Sequence, residues 1–223
     1  SQLSDLCLCK LLLVLRTHHR VNVETMHFRK QRLTSKAITM LLDFPFLSRL
    51  IANCRLSERE FISLTRYVTK NHLSMISING KNDQVAFRYI DDLLKAIGGA
   101  SKMETVQLAR LHIQENRGGG LEFFLAHSRA KIIQLKDVLV DDVAASFATL
   151  SSQHKVELLD LSISPKYDER QLSILPFYRA LFENLTMLNR LQSVCFTRLV
   201  FDCAASARRQ ATIIAGMRST FKI

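Results

Sequence analysis

Two segments of the chain share one spacing of apolar residues. The first is METVQLARLHI, Met103–Ile113, and the second is AKIIQLKDVLV, Ala130–Val140. Both place apolar residues at the first, fourth, sixth, ninth and eleventh positions. The central alternating part, such as Val106 and Leu108, is typical of a β-strand with one buried face. Recurrence of such a spacing predicts a repeat protein, because one unit needs neighbours to bury its apolar face.

The same spacing recurs along the chain at steps of roughly 27 residues. Copies begin near residues 23, 47, 73, 103, 130, 156 and 191, and the last step is longer than the others. Helical patterns lie between them, in SKAITMLLDF, SEREFISLTRYV and FRYIDDLLKAIGG, with apolar residues three and four positions apart. In the last of these, the pair Gly98–Gly99 is suited to a helix C-cap. Strands that alternate with helices predict an α/β fold with a parallel sheet.

This alternation of short strands and helices resembles the leucine-rich repeat family, in its ribonuclease-inhibitor-like branch. The resemblance implies a horseshoe-shaped solenoid of about seven repeats, with parallel strands on the concave face and helices on the convex face. We expect one domain over residues 1–223. The chain departs from the family template at the ninth position, where Asn or Cys is replaced by Gln31, Leu111, Val138 and Leu199. That residue normally hydrogen-bonds the turn after the strand, so irregular turns are expected.

The two ends of the chain have the pattern of incomplete units. Residues 4–20 are typical of the helical half of a unit, and residues 218–223 of a strand. Because solenoids need polar capping units, we expect the natural protein to extend further or a neighbour to cover these ends. The apolar run Leu6–Leu15 is shorter than the about 20 residues that span a bilayer, and Lys10 interrupts it. We therefore expect a buried amphipathic helix there and no membrane span.

The residues that carry chemistry form no recognisable catalytic motif. The five cysteines are scattered without a C-x-x-C pair, which gives no signal for structural zinc and favours reduced thiols in the cytoplasm or nucleus. The sequence has no nucleophile elbow, H-E-x-x-H, Walker A or dinucleotide-binding motif. We expect no enzyme activity, no metal and no cofactor.

Two local motifs have both a chemical and a structural interpretation. The glycines of Arg117–Gly120 could bind phosphate at a helix N-terminus, but the Lys-Ser/Thr of a Walker motif is missing, which favours a strand-to-helix connection. Asp91–Asp92 and Asp141–Asp142 could be metal carboxylates. The surface of a helix and the start of a helix are the favoured interpretations of these two pairs.

The outward-facing strand positions are predicted to form a curved ladder, the surface with which this family commonly binds partners. Few of them are charged, which suits a protein partner better than a phosphate backbone. The alternative is that they are ordinary solvated strand residues. The ladder consists of Glu24, Thr25, His27, Arg49, Ile51, Met75, Ser77, Thr105, Gln107, Ile132, Gln134, Leu158, Asp160, Ser193 and Cys195.

The net charge of +11 is concentrated in the first third, where residues 1–72 hold 12 Lys and Arg against 5 Asp and Glu. Such a surplus suits an acidic protein, a nucleic acid or an anionic membrane, or simply a solvated face. The absence of Trp argues against stacking on single-stranded bases. The candidate anion-binding residues, expected along one edge, are Arg16, Arg20, Arg29, Lys30, Arg32, Lys36, Arg55 and Arg59.

The leading functional hypothesis is a non-enzymatic scaffold or adaptor that binds another protein through its concave face. The alternatives are a nucleic-acid-binding module that uses the basic first third, and the substrate-receptor part of a ubiquitin ligase. A regulator like the GTPase-activating members of the family ranks last, since no matching polar loop motif is found. One scaffold hosts many functions, so the resemblance indicates the fold far more than the activity.

Overall fold

Helices and strands alternate along the chain in the computed structural model, which describes residues 4–18, 22–29, 33–53, 56, 58–80, 89–113, 119–140, 156–165 and 193–196. The helices are α1 (Asp5–Thr17), α2 (Ser35–Leu41), α3 (Glu58–Lys70), α4 (Ile90–Gly99) and α5 (Gly120–His127). The strands are β1 (Thr25–Arg29), β2 (Arg49–Asn53), β3 (Met75–Asn79), β4 (Thr105–Ala109), β5 (His112–Ile113), β6 (Ile132–Val140), β7 (Leu158–Pro165) and β8 (Ser193–Phe196). The predicted α/β alternation is confirmed.

The described strands form one parallel sheet in the order β1-β2-β3-β4-β6-β7-β8, and the short β5 pairs with β6. The order follows the chain, so each unit stacks beside the next. Val106 is opposite Ile133, which is opposite Leu159, which is opposite Val194. The aligned segments predict this row, because equivalent positions of successive repeats must lie side by side, and the register confirms it.

The helices and the inward-facing strand residues share one hydrophobic core. Strand residues such as Leu50, Ile76 and Ile133 are fully buried, as are Phe61 and Leu64 on α3. Burial of one such side chain contributes about 1.5–3 kcal/mol. Since all five described helices contribute to this cluster or pack on it, they cover one face of the sheet. We call the other face, which bears the outward-facing strand residues, the open face.

A repeated hydrogen-bond pattern sets the register. At the start of β2, the backbone N–H groups of Ser48 and Arg49 both donate to the Glu24 carbonyl, at 3.0 Å each. The same arrangement recurs at the starts of β3, β4, β6 and β7. In each case two successive N–H groups donate to the carbonyl of the residue before the neighbouring strand. Each unit therefore meets the next with nearly the same offset, which carries equivalent side chains into straight rows.

Local side-chain caps begin the first two helices. Ser4 accepts a hydrogen bond from the Cys7 backbone N–H, and Thr34 accepts one from the Ala37 N–H, as N-cap residues do. The Thr34 hydroxyl also donates to Asp5 at 2.6 Å. This bond links the starts of α1 and α2 and fixes the first two helices relative to each other.

The glycine pair of α4 does not cap the helix, so that prediction was wrong. Gly98 and Gly99 are both helical, and the C-cap is Ala100 in extended conformation. A Cβ added to Gly98 would lie 2.9 Å from the Phe124 Cα on α5, whereas one on Gly99 would meet nothing within 4 Å. Gly98 is needed because α4 and α5 approach closely there, a tertiary reason that a capping rule does not include.

The first helix is less buried than its sequence predicts. Leu8 and Leu12 are in the core, but Leu6, Leu13 and Val14 on the opposite side are each about half exposed or more, with Leu6 at 60%. The expectation of a buried amphipathic helix is therefore correct for one face only. The other face of α1 presents large apolar side chains outside the packed part of the described chain.

The turn after β4 is irregular, as the missing Asn or Cys predicts. Arg110 adopts a left-handed conformation with φ of 52°, and the chain then forms β5 beside β6. Leu111, at the ninth position of the repeat, is fully buried, and so is Val138 in the next unit. An apolar ninth residue therefore adds to the core, just after β4 in one unit and within β6 in the next.

Candidate binding surface

The register gathers the predicted ladder residues into two rows on the open face. The first row is Thr25, Arg49, Met75, Thr105, Ile132, Leu158 and Ser193. The second row is His27, Ile51, Ser77, Gln107, Gln134, Asp160 and Cys195. Glu24 is exposed just before β1. The side chains of Ser193 and Cys195 lie outside the described part.

Exposure changes along these rows. Thr25, His27 and Arg49 are exposed at the β1 end, and most of the following residues are half-buried. Asp160 on β7 is only 7% exposed, although it is a carboxylate on a sheet face. A charged group is rarely so covered unless it is paired.

The pairing of Asp160 runs through a chain of side chains across three strands. Gln107 Nε2 donates to Gln134 Oε1 at 2.6 Å, and Gln134 Nε2 donates to Asp160 Oδ2 at 3.2 Å. Lys136 Nζ lies 3.2 Å from the same oxygen. Because a carboxylate can only accept, it fixes the orientation of both amides in turn. These polar groups of β4, β6 and β7 thus bind one another within the chain.

The β1–β3 end is arranged differently. Asn53 Nδ2 lies 3.1 Å from His27 Nε2, but Arg29 and Arg49 are exposed and form no ion pair with any residue of the described ranges. Arg49 is opposite Met75 in the register, and Ile51 follows two residues later on the same face. This end therefore presents unpaired positive charge next to half-buried apolar side chains.

The basic candidates are spread over different surfaces. Arg16, in the last turn of α1, pairs with Asp43 at 3.0 Å. Lys36 and Arg59 are exposed in the first turns of α2 and α3. Each helix ends at the edge of the sheet where the next strand begins. Arg16, in a last turn, therefore lies at that edge, whereas Lys36 and Arg59, in first turns, lie at the opposite edge. The expectation of a single basic edge is therefore not met by the described members. Arg20, Lys30, Arg32 and Arg55 lie outside the described residues.

Asp91 is a buried carboxylate that sequence reasoning placed on a helix surface. It is 8% exposed, where α4 meets the start of α5. A Cβ on Gly120 would lie 2.5 Å from the Asp91 Cα. Burial raises the pKa of Asp91, while Lys95 and a hydrogen bond from the Gly120 N–H act in the opposite direction. The sequence contains one indication of this position: Asp91 and Gly98 are seven residues apart, so they share one side of α4.

The position of Asp91 also bears on the glycine-rich segment. Gly119 is the N-cap of α5 with φ of 60°, and Gly120 is its first residue. A carboxylate already lies beside this helix N-terminus, which attracts one anion and opposes the approach of a second. The arrangement favours a structural connection over a phosphate site.

The described ranges contain no group of three or more His, Cys, Asp or Glu residues that could hold a metal ion. None of their helices has the length and apolar character needed to cross a membrane.

Comparison with known proteins adds no assignment. No protein-family model matches the chain, and no curated protein matches it.

Proposed function

We propose that the protein is a non-enzymatic interaction scaffold or adaptor: a leucine-rich-repeat-like solenoid that binds another protein with its concave, strand-bearing face. The observation that supports this most directly is the register. It aligns outward-facing residues of β1, β2, β3, β4, β6 and β7 into two continuous rows on the open face of the sheet, and β8 continues the register.

The composition of the rows favours a protein as the partner. Ile51, Met75, Ile132 and Leu158 are half-buried apolar residues, distributed among hydroxyl and amide side chains. Protein interfaces combine an apolar centre with polar groups in this way and are depleted of charge at the centre. A surface that binds a phosphate backbone needs many more Lys and Arg residues on the same face.

Affinity capture from a lysate tests this proposal. The bait would be the whole chain, with four positions of the open face either intact or replaced as Arg49→Glu, Met75→Ser, Gln107→Ala and Gln134→Ala. We expect the specific partners to be lost from the replaced bait, while a bait changed only on the helices, at Lys36→Ala and Arg59→Ala, retains them. Circular dichroism would establish that each bait is folded. Partners captured equally by the replaced bait would contradict the proposal.

One observation supports a nucleic-acid-binding alternative, namely that Arg29 and Arg49 have no ion-pair partner in the described residues. If it is correct, binding of an oligonucleotide must fall steeply as salt is added, because each phosphate contact releases counterions. Salt-insensitive capture of a protein would argue against it. The substrate-receptor role in a ubiquitin ligase has no structural observation in its favour.

The proposal includes an intracellular location, in the cytoplasm or the nucleus. It is supported by the free thiols of Cys7 and Cys9, since unpaired cysteines are typical of reducing compartments.

A further inference from the structure

We infer that the working part of the open face is its β1–β3 end, and that it binds an extended acidic segment of a protein with the order acid–x–apolar–x–acid. This inference is based on the proposed function and specifies the partner's chemistry. It combines three features of the described residues: unpaired charge, a neighbouring apolar patch, and the spacing between them.

Among the described side chains, the charge on the open face is unbalanced at this end only. Arg29 and Arg49 are exposed and lack an acidic partner in the described ranges, whereas Lys136 at the other end is paired with Asp160. Glu24 precedes β1 but forms no ion pair with Arg49. A ligand that brings carboxylates to the two arginines would form charge-assisted hydrogen bonds that the chain does not supply itself.

One apolar side chain, Ile51, lies between the two arginines along the strand direction, and a second, Met75, lies beside Arg49. Met75 is opposite Arg49, and Ile51 occupies the next outward position along β2. Arg29 is opposite Asn53, one outward position further still. Moving along the strand direction, the face therefore presents a cation with Met75 beside it, then Ile51, then a second cation. A complementary segment would present an acid, an apolar side chain and an acid.

The spacing fits an extended chain. Arg49 and the position opposite Arg29 are four residues apart on β2, which is about 13 Å at the rise of about 3.3 Å per residue in a strand. An extended peptide has the same rise, so acids four residues apart would meet both arginines. The apolar side chain midway would then contact Ile51.

The other end of the open face is a weaker candidate because its polar groups already have partners. The amides of Gln107 and Gln134 and the carboxylate of Asp160 bind one another. A ligand there would have to break these bonds before making its own. Nucleic acid is a weaker candidate at the β1–β3 end, since two unpaired cations separated by the apolar Ile51 match few phosphates.

Selection from a displayed library of random heptapeptides tests the inference. The targets are the wild-type chain, Arg49→Glu and Arg66→Glu. Arg66 is exposed on α3, so its replacement makes the same charge change away from the open face. We expect wild type and Arg66→Glu to enrich peptides with two acids four residues apart and an apolar residue midway. Arg49→Glu should lose this enrichment at least tenfold and favour Lys or Arg at the corresponding position.

Three outcomes would overturn the inference. They are no enrichment by the wild-type chain, enrichment without acids, and enrichment of acids that Arg49→Glu leaves unchanged. Binding of a labelled deoxythymidine oligonucleotide to the same three proteins is measured in parallel. Oligonucleotide binding that Arg49→Glu abolishes, with no acidic peptide selected, would assign the charge to nucleic acid. If the affinity capture above succeeds while this selection fails, the partner chemistry is wrong and the scaffold proposal stands.

Discussion

The two halves of the described structure use the same repeat differently. From α4 to β7, side chains find partners within the chain: Gln107, Gln134 and Asp160 join three strands. From α1 to β3, Arg49 on the open face has no ion pair and Leu13 on α1 is half exposed. A common backbone register thus permits the open face of the second half to pair its charged groups internally, while the open face of the first half leaves Arg49 available.

The helix layer repeats this contrast. In the second half, α4 and α5 meet through Gly98, which has no side chain to separate them. In the first half, α1 packs on α2 with one face and presents Leu6 and Val14 on the other. Replacements in the second half should therefore change stability, and replacements on the exposed surfaces of the first half should change binding.

The largest expected effect on stability is at the α4–α5 contact. Gly98→Ala should destabilise the fold relative to Gly99→Ala by about 2–3 kcal/mol, because overpacking costs about 1–3 kcal/mol and Ala at the unobstructed position adds helix propensity. Urea unfolding of the two variants measures the difference. Equal midpoints would mean that the two helices do not approach as closely as described.

The next effect contrasts the two ends of the open face directly. Asp160→Ala should cost about 2 kcal/mol, because the amide of Gln134 and the ammonium group of Lys136 lose their acceptor. Arg49→Ala should change stability by less than about 0.5 kcal/mol, since it removes no ion pair. Comparable losses in the two variants, measured by urea unfolding, would abolish the distinction between the halves.

The smallest effect depends on pH and concerns Asp91. Since burial raises its pKa in the folded state, Asp91 contributes stability that is present below its usual value of 3.8 and is lost as pH rises through the raised value. Asp91→Asn should therefore stabilise the protein at neutral pH, and this gain should disappear in acid. Stability measured from pH 3 to pH 7 tests the sign.

Asp92 provides the matched control for the Asp91 substitution. It is exposed in the first turn of α4, where a carboxylate favours the helix N-terminus. Asp92→Asn should therefore lose a little stability at neutral pH, opposite in direction to Asp91→Asn. Two variants that shift together would show that burial is not what distinguishes the two carboxylates.

Much of the fold is predictable because the repeat spacing is a local property of the sequence. The positions of Val106 and Ile133 in their templates place them side by side, and the structure has them paired. The same alternation identifies which residues face outward, so most of the open face was predictable residue by residue. Alternation does not report, however, which outward residues bind one another.

The wrong predictions for Gly98 and Asp91 have a common physical origin. The capping rule for Gly98 and the surface assignment of Asp91 each consider one helix, whereas both residues face a second helix. The spread of Arg16, Lys36 and Arg59 over two edges depends on chain direction through the stack. Helical spacing indicates that Asp91 and Gly98 share one side of α4, but it does not indicate that a second helix packs on that side.

The sequence by itself determined the unit, its approximate period, and the side of each strand that is buried, because apolar periodicity follows directly from backbone geometry. Only the tertiary structure decided that Asp160 is paired and Arg49 is not, and that Gly98 allows two helices to touch. The reason is that pairing and close approach are set by distances between units, and those distances follow from packing of the whole stack.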